Sequence, residues 1–257
     1  MELSMRRVLR IGLLVLLGIV IVGAVGFVIW AESAPPPMQT ALDALNSSPG
    51  VEVSVGQVED WMVFQPIYAD MHVGPKTGFI FYPGGRVDAR SYAPAAHAIA
   101  QAGYLVVITP VPLNLAFFSV NKADDVMAAF PEIDLWAVGG HSLGGAAAAI
   151  YLFNNPDSMD GLALWASYPA GNNSLVDYPG AISSIYATLD GLATVADVDA
   201  SRPLLPPQTV FVPIEGGNHA QFGWYGDQSG DNPATISREE QQAQVISATV
   251  ALLAGLE

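Results

Sequence analysis

The sequence predicts an α/β domain with a mostly parallel, doubly wound sheet that is covered by helices on both faces. Short β-branched or aromatic runs alternate with alanine-rich stretches of helical length along residues 51–257, and this alternation is typical of parallel sheets. The strand predicted at residues 105–109 is almost wholly apolar, as expected for a strand buried on both faces.

We predict strands at residues 51–58 and 61–65, which form an antiparallel pair, and at 78–82, 105–109, 135–138, 162–165, 182–188 and 209–214. Helices are predicted at residues 91–102, 122–130, 142–153 and 237–256. The last of these helices begins with a capping box, because Glu240 follows Ser237 by three residues.

Composition excludes several classes of protein. Of the 257 residues, 51% are hydrophobic and only 13% are charged, which suits a large folded core and not a disordered chain or a coiled coil. The net charge of −15 argues against a nucleic-acid partner, because affinity for a polyanion comes mainly from Lys and Arg. The chain has no Cys, which excludes disulfides, thiolate metal sites and a cysteine nucleophile.

The N-terminal segment is predicted to cross a membrane. Residues 11–31 form an uncharged run of 21 residues preceded by Arg6, Arg7 and Arg10. As a helix this run would be roughly 31 Å long, close to the ~30 Å hydrocarbon core of a bilayer. One alternative is a cleaved signal peptide, although the apolar part of a signal peptide usually has only about 7–15 residues. Another alternative is a helix buried in the domain.

We therefore divide the chain into four parts. Residues 1–10 are a basic cytoplasmic N-terminus, because cations lie on the cytoplasmic side of a span. Residues 11–31 are a single-pass signal anchor, and residues 32–50 are a stalk, stiffened by Pro35 to Pro37, that contains a short amphipathic helix at 38–45. Residues 51–257 are then one extracytoplasmic domain.

The motif with the clearest chemical meaning is the run Gly140-His141-Ser142-Leu143-Gly144-Gly145, which lies between a predicted strand and a predicted helix. A serine in a tight strand-to-helix turn exposes its hydroxyl, and glycines on either side remove side chains that would clash there. The N-terminus of the following helix favours negative charge. The Leu143 amide is therefore a candidate donor to an oxyanion formed at Ser142.

This motif and its context resemble the α/β-hydrolase superfamily, and the resemblance covers residues 51–256. The chain looks most like the small, lid-poor members, which are the dienelactone-hydrolase-like and bacterial esterase groups. The former usually carry Cys where this chain has Ser142, and this difference favours serine esterase chemistry. The resemblance implies that nucleophile, acid and base follow one another in this order along the chain.

Four histidines are candidates for the base that activates the serine. His72 precedes a predicted strand, His97 lies in the middle of a predicted helix, and His141 is the variable position of the motif. His219 directly follows the last predicted strand, which is the position that the family resemblance implies for the catalytic base.

The acid is predicted to be Asp190, which follows the strand at 182–188 as the resemblance implies. Asp197 and Asp199 lie a few residues further on and are the alternatives if that strand ends later. Asp160 precedes a predicted strand and therefore lies at the wrong edge of the sheet for a site built beyond the carboxyl ends.

The second oxyanion donor is expected in the loop that follows the first interior strand, which reads Pro83-Gly84-Gly85-Arg86. Glycine allows a close approach to the substrate oxygen, although a Pro-Gly-Gly stretch is also a common plain turn. We favour the Gly85 amide over those of Gly84 and Arg86. The Arg86 side chain is either a ligand for an acidic substrate group or simply solvated.

Aromatic residues on loops at the predicted active edge are candidates for a substrate pocket. They are Phe117, Phe118, Phe222, Trp224 and Tyr225, and packing beneath the loops is an equal alternative.

The sequence thus predicts a membrane-anchored serine hydrolase of carboxylic esters that forms an acyl-enzyme on Ser142. It needs no cofactor and no metal, and its partners are a small ester and the membrane. An acyltransferase or amidase with the same residues, and a non-catalytic anchored binding module, stay open as alternatives.

Overall fold

The computed structural model describes residues 2–57, 59–68 and 74–257. Within these residues one eight-stranded sheet has the order β1-β2-β4-β3-β5-β6-β7-β8. The first two strands are antiparallel to each other and β2 is antiparallel to β4, whereas every other neighbouring pair is parallel. The strands are β1 (Val51–Val55), β2 (Met62–Pro66), β3 (Thr77–Tyr82), β4 (Leu105–Ile108), β5 (Leu135–His141), β6 (Gly161–Trp165), β7 (Ala181–Ala187) and β8 (Val210–Ile214). The predicted α/β class is therefore confirmed.

Seven α-helices lie within the described residues: α1 (Glu2–Glu32), α2 (Gln39–Asp43), α3 (Ala93–Gln101), α4 (Lys122–Ala129), α5 (Leu143–Asn154), α6 (Val195–Ser201) and α7 (Arg238–Ala254). The capping box predicted for the last helix is present, since Ser237 and Glu240 bond each other's backbone amides. The sequence analysis missed α6. Its own capping box, made by Thr194 and Asp197, is the signal that would have located it.

Both faces of the sheet are covered, and the central strands show why. Phe79 and Phe81 on β3 pack into one hydrophobic cluster together with Trp165, whereas Ile80 on the same strand packs into the other with Leu152 of α5. Successive residues of a strand point to opposite faces. A strand covered on both sides is therefore buried at every position, as β3 is.

Strand β5 is longer than predicted, and the extension positions the candidate site. The prediction stopped at residue 138 because glycine disfavours strands, yet Gly139 and Gly140 pair with Phe81 and Tyr82 of β3. A Cβ atom at Gly139 would lie 2.6 Å from the Ala163 carbonyl oxygen, so this glycine is required for close packing. The strand thereby reaches His141 and delivers Ser142 to the carboxyl edge of the sheet.

The N-terminal helix α1 contains the stretch Arg7–Glu32, which is long and apolar enough to cross a membrane. Residues 7–30 of this stretch are exposed and do not pack against the rest of the chain. A helix of this kind near an N-terminus is consistent with an anchor and also with a signal sequence.

The segment predicted as a stalk lies against the domain and does not stand clear of it. The Met38 amide donates to the Trp224 carbonyl at 2.7 Å, and Ala41 on α2 is fully buried. His97 bonds the Ala44 carbonyl at 3.0 Å and the Ser48 hydroxyl at 2.9 Å. The helix predicted at residues 38–45 thus packs its apolar side against α3. The two hydrogen bonds of His97 stabilise this packing.

Candidate active site

Ser142 occupies a strained turn between β5 and α5. Its backbone has φ 52° and ψ −119°, a combination that a residue with a side chain rarely adopts. Three bonds hold it there: the Ser142 amide donates to the Trp165 carbonyl at 2.9 Å, and the Ser142 carbonyl accepts from the Ala146 amide at 3.1 Å and from the Ser167 hydroxyl at 2.7 Å.

The glycines around Ser142 are required by backbone contacts. A Cβ atom at Gly144 would lie 2.1 Å from the Tyr82 carbonyl oxygen, and one at Gly140 would lie 2.4 Å from the Gly144 carbonyl carbon. No side chain fits at either distance, because the atoms that it would meet belong to the backbone. The helix can therefore begin directly at the strand end.

His219 and Asp190 form a buried hydrogen-bonded pair. His219 Nδ1 and Asp190 Oδ2 are 2.7 Å apart, and the two side chains are 1% and 0% exposed. The other carboxylate oxygen accepts from the Leu192 amide at 2.8 Å and from the Ala193 amide at 2.7 Å. A buried carboxylate is costly unless its oxygens are bonded, and here both are.

Ser142 and His219 line one cleft of about 210 Å³, and Asp190 lies behind the imidazole. His219 Nε2 is buried, and it has no hydrogen-bond partner among the described residues. The Ser142 hydroxyl therefore makes no hydrogen bond to this nitrogen in the described part of the chain. In hydrolytic sites this bond often tightens only when substrate is bound.

The alternative acids have other roles. Asp197 caps α6 through the Thr194 amide and hydroxyl, and Asp199 pairs with Arg202 at 2.8 Å. Asp160 accepts from the Trp136 amide at 2.8 Å, next to the start of β6. Of the other candidate bases, His72 lies outside the described residues.

The structure discriminates among the three amides considered for the second oxyanion donor. The Gly84 amide donates to the Tyr92 hydroxyl at 3.0 Å, and the Arg86 amide donates to the Asn114 carbonyl at 2.8 Å. Among the described residues the Gly85 amide has no such partner. Gly85 lines a neighbouring cleft and not the cleft of Ser142. It nevertheless lies close to Leu143, since a Cβ atom on Gly85 would lie 3.0 Å from Leu143 Cδ2.

The Arg86 side chain is neither free for an acidic substrate nor simply solvated. It donates to the Trp30 carbonyl at 3.0 Å and to the Ser33 hydroxyl at 3.0 Å, and its guanidinium lies 4.5 Å from the centre of the Trp30 ring.

The aromatic residues predicted as candidates for a substrate pocket do not line the Ser142 cleft. Phe222 is fully buried and stacks on His141, and Trp224 is only 7% exposed, so both pack beneath the loops. Phe117 and Phe118 lie on an outer turn, Ala116–Ser119, and are 48% and 58% exposed. None of these four lines the Ser142 cleft, nor does Tyr225, because the loops direct these rings into the core or to the surface. The residues that do line it, beside Ser142, Leu143 and His219, are Ala146, Ala166, Ser167, Tyr168, Leu192 and Ala193.

His141 is buried immediately behind His219. The two rings are 4.5 Å apart between centres, and His141 Nδ1 lies 2.8 Å from the hydroxyl of Tyr92, the residue that also accepts from Gly84. Burial, and then the neighbouring His219, lower the pKa of His141 well below its usual value. His141 is therefore a neutral ring that packs against the His219 ring.

Asp231 is a residue that the sequence analysis missed. Its carboxylate accepts from the Gly191 amide at 3.0 Å and from the Ala220 amide at 2.8 Å. These amides directly follow Asp190 and His219, so one side chain joins the two loops that carry the buried pair. An aspartate in a polar loop gives no sequence signal for this role, because its partners are amides distant along the chain.

The described residues contain no group of three or more His, Asp or Glu that could hold a metal ion.

Comparison with known proteins places the chain in a family. The alpha/beta hydrolase family matches residues 78–243, which include Ser142, Asp190 and His219. This protein belongs to the α/β-hydrolase family. The match extends over most of the domain. No curated protein sequence matches this hydrolase significantly.

Solved structures with the same fold include hydrolases of several kinds. A dienelactone hydrolase from Anabaena variabilis is 15% identical, with a TM-score of 0.58 over 80% of this chain and 98% of that chain. An esterase from Thermogutta terrifontis, solved with butyrate bound, is 14% identical, with a TM-score of 0.56 over 80% and 94%. A CIB-like hydrolase from Thermoplasma acidophilum is 14% identical, with a TM-score of 0.57 over 80% and 98%. At these identities the likeness shows a shared fold.

We expect Asp231→Asn to destabilise this α/β-hydrolase. The substitution replaces one carboxylate oxygen with an amide group that faces a backbone N–H, so a buried donor loses its partner. The free energy of unfolding should fall by about 1–3 kcal/mol in urea denaturation followed by tryptophan fluorescence. Asp227→Asn, the same change at an exposed position of the same loop, should leave it within about 0.5 kcal/mol. Equal effects of the two variants would contradict the bridging role.

We expect His141 to make stability depend on pH. Because its pKa is lowered in the folded state, the unfolded chain binds more protons than the folded chain below about pH 6.5. The stability that this neutral ring contributes is therefore present above that value and is lost as the pH falls below it.

The test compares the Tm at about pH 7.5 and about pH 5.5 in the native protein and in His141→Gln, whose amide can still bond the Tyr92 hydroxyl. The variant should lose less Tm between the two values. An equal loss in both proteins would show that another group titrates.

Proposed function

We propose that this α/β-hydrolase is a serine hydrolase of carboxylic esters that works through an acyl-enzyme on Ser142. One observation carries the proposal: the buried pair of Asp190 and His219 opens, through the imidazole, into the cleft where the strained turn presents Ser142. A serine hydroxyl is a poor nucleophile near neutral pH until a positioned base takes its proton. An imidazole held by a buried carboxylate is such a base.

The hydrogen bonds define the proton path. Asp190 accepts the Nδ1 proton of His219, which leaves Nε2 with the lone pair. Nε2 is the ring nitrogen without a partner among the described residues, and it therefore takes the proton of Ser142 as the hydroxyl oxygen attacks the ester carbonyl. The resulting imidazolium is stabilised by the Asp190 carboxylate.

The tetrahedral intermediate carries its negative charge on the former carbonyl oxygen. The amide of Leu143, at the start of α5, and that of Gly85 donate to this oxyanion. His219 then protonates the departing alcohol. A water molecule deprotonated by the same nitrogen attacks the acyl-enzyme, and the acid leaves as Ser142 recovers its proton.

The shape of the cleft favours a short acyl group at the reacting carbon. Its volume is about 210 Å³, and three of its lining residues are Ala146, Ala166 and Ala193. The Thermogutta terrifontis esterase of the same fold was solved with butyrate, a short acid, which agrees with this assignment.

The first test is covalent labelling of the full-length protein in detergent with a fluorophosphonate probe. The probe should label the native protein and Ser229→Ala, which removes a hydroxyl at an exposed position, but it should not label Ser142→Ala. Asp190→Asn should lower kcat for a short chromogenic ester by about 10⁴-fold, because the imidazole then adopts the wrong tautomer.

Labelling that persists in Ser142→Ala would refute Ser142 as the nucleophile. A folded native protein that neither labels nor hydrolyses any ester of a panel would instead indicate a binding module. Added alcohol that diverts the acyl group from water would indicate an acyltransferase.

We also propose that α1 is an uncleaved signal anchor and that the catalytic domain is extracytoplasmic. The length and apolarity of Arg7–Glu32 support the span, and the cations before it support a cytoplasmic N-terminus.

The lack of native cysteine makes this orientation testable. A membrane-impermeant maleimide should label Asn172→Cys, an exposed position of the domain, in intact cells, and Ser4→Cys only after lysis. The reverse pattern would invert the orientation, and a mature protein that lacks its first thirty or so residues would identify a cleaved signal peptide.

A further inference from the structure

Hydrogen bonds join the end of α1 to the loop that carries Gly85. Arg86, the next residue, donates to the Trp30 carbonyl and to the Ser33 hydroxyl, and Asn114 donates to the Ala31 carbonyl at 3.4 Å. The last carbonyls of a helix have no partner within the helix, so these side chains satisfy them. Ala31 is fully buried, although residues 7–30 of α1 are exposed.

These contacts place the candidate site next to the membrane end of α1. Ser33 and Pro35, just after the helix, form one side of a cleft of about 360 Å³, and Gly85 and Arg86 form another. The residue proposed to donate to the oxyanion is thus close to the point where the chain would leave the bilayer. Trp30, which contacts Arg86, is of the type enriched at membrane interfaces.

Two exposed phenylalanines follow the segment that contacts this helix end. Asn114, which contacts Ala31, precedes the turn Ala116–Ser119, and Phe117 and Phe118 on that turn are 48% and 58% exposed. Two adjacent aromatic rings exposed to water are unfavourable by the area that they leave unburied. At a lipid interface the same rings would be buried in the boundary between headgroups and acyl chains.

We propose that Phe117 and Phe118 insert into the lipid surface from which α1 emerges, and that the enzyme takes its ester substrate from that surface. The occupant of this apolar patch is the bilayer and not another protein, because Asn114, three residues before Phe117, bonds the end of the helix that we propose to span the bilayer. The substrate part of the proposal rests on the proposed ester hydrolysis. It names the class as amphiphilic esters with a lipid-embedded chain.

The charge of the protein indicates how the loop binds. The chain has a net charge of −15, so an anionic membrane surface repels the domain. Arg86, a cation that contacts the helix end, already bonds Trp30 and Ser33. The insertion therefore depends on apolar contact, and it should occur in membranes of zwitterionic phosphatidylcholine.

Lipid contact can be measured without any catalysis. Because the chain has no Cys, Phe118→Cys provides a single site for an environment-sensitive fluorophore on the full-length protein in phosphatidylcholine nanodiscs. Phe153→Cys is the matched control, since Phe153 is 44% exposed near the end of α5, at the opposite edge of the sheet. Nitroxide-labelled lipid should quench the fluorophore at 118 and not at 153. Equal quenching at the two positions would overturn the insertion.

Substrate delivery is tested by the double variant Phe117→Ser, Phe118→Ser. We expect about a fivefold loss of activity towards a fluorogenic ester that has a short acyl group and, on its alcohol side, a long alkyl chain dissolved in the nanodisc, because the rings no longer partition into lipid. Activity towards a short water-soluble ester should be unchanged, and Phe153→Ser should affect neither substrate.

The outcomes separate the two proposals. If both esters are hydrolysed equally well by the double variant and the native protein, the enzyme does not depend on the lipid surface for its substrate, and this inference fails while ester hydrolysis stands. If no ester is hydrolysed, the proposed function fails, and the quenching experiment still decides whether the loop contacts lipid.

Discussion

The contact of backbone with backbone at the carboxyl end of β5 is the constraint on which the rest of the site depends. Gly144 lies so close to the Tyr82 carbonyl that no side chain fits between them, and α5 therefore begins directly at the strand end. This close packing keeps Ser142 in a backbone conformation that it would otherwise leave. The hydroxyl is thereby held at the edge of the sheet where the other loops meet.

The second constraint is the cost of burying charge. Asp190 and His219 are almost wholly removed from water, and an aspartate in that position is tolerable only because three donors bond its oxygens. Asp231 extends the same network to the amides that follow both residues. Carboxylates bonded in this way are held rigidly, and rigidity is what a proton transfer between fixed atoms requires.

Hydrogen bonds join the N-terminal segment to the loops around the site. Trp30 and Ser33 accept hydrogen bonds from Arg86, and the Met38 amide donates to the Trp224 carbonyl. The chain between α1 and the domain is therefore not a free linker. The orientation of the domain relative to α1 is consequently fixed by specific contacts. A free linker would instead allow the site to face in any direction.

The sequence by itself determined the elements whose signals are local. Strand and helix alternation, the glycines around Ser142 and the capping box at Ser237 each depend on residues close together along the chain, and the sheet and this cap were predicted correctly. Asp190 and His219 were selected through the family resemblance and the order of elements. The structure brings them together, while their catalytic roles stay predictions.

Only the tertiary structure decided which side chains line the cleft, because whether a loop residue points inward or outward depends on distant neighbours. It turned Phe222 into the core and left Phe117 exposed. It also revealed Asp231 as a bridge between two loops, and it bonded Arg86 to the end of α1. These features arise from contacts between segments far apart in the chain, and no pattern within a single segment encodes them.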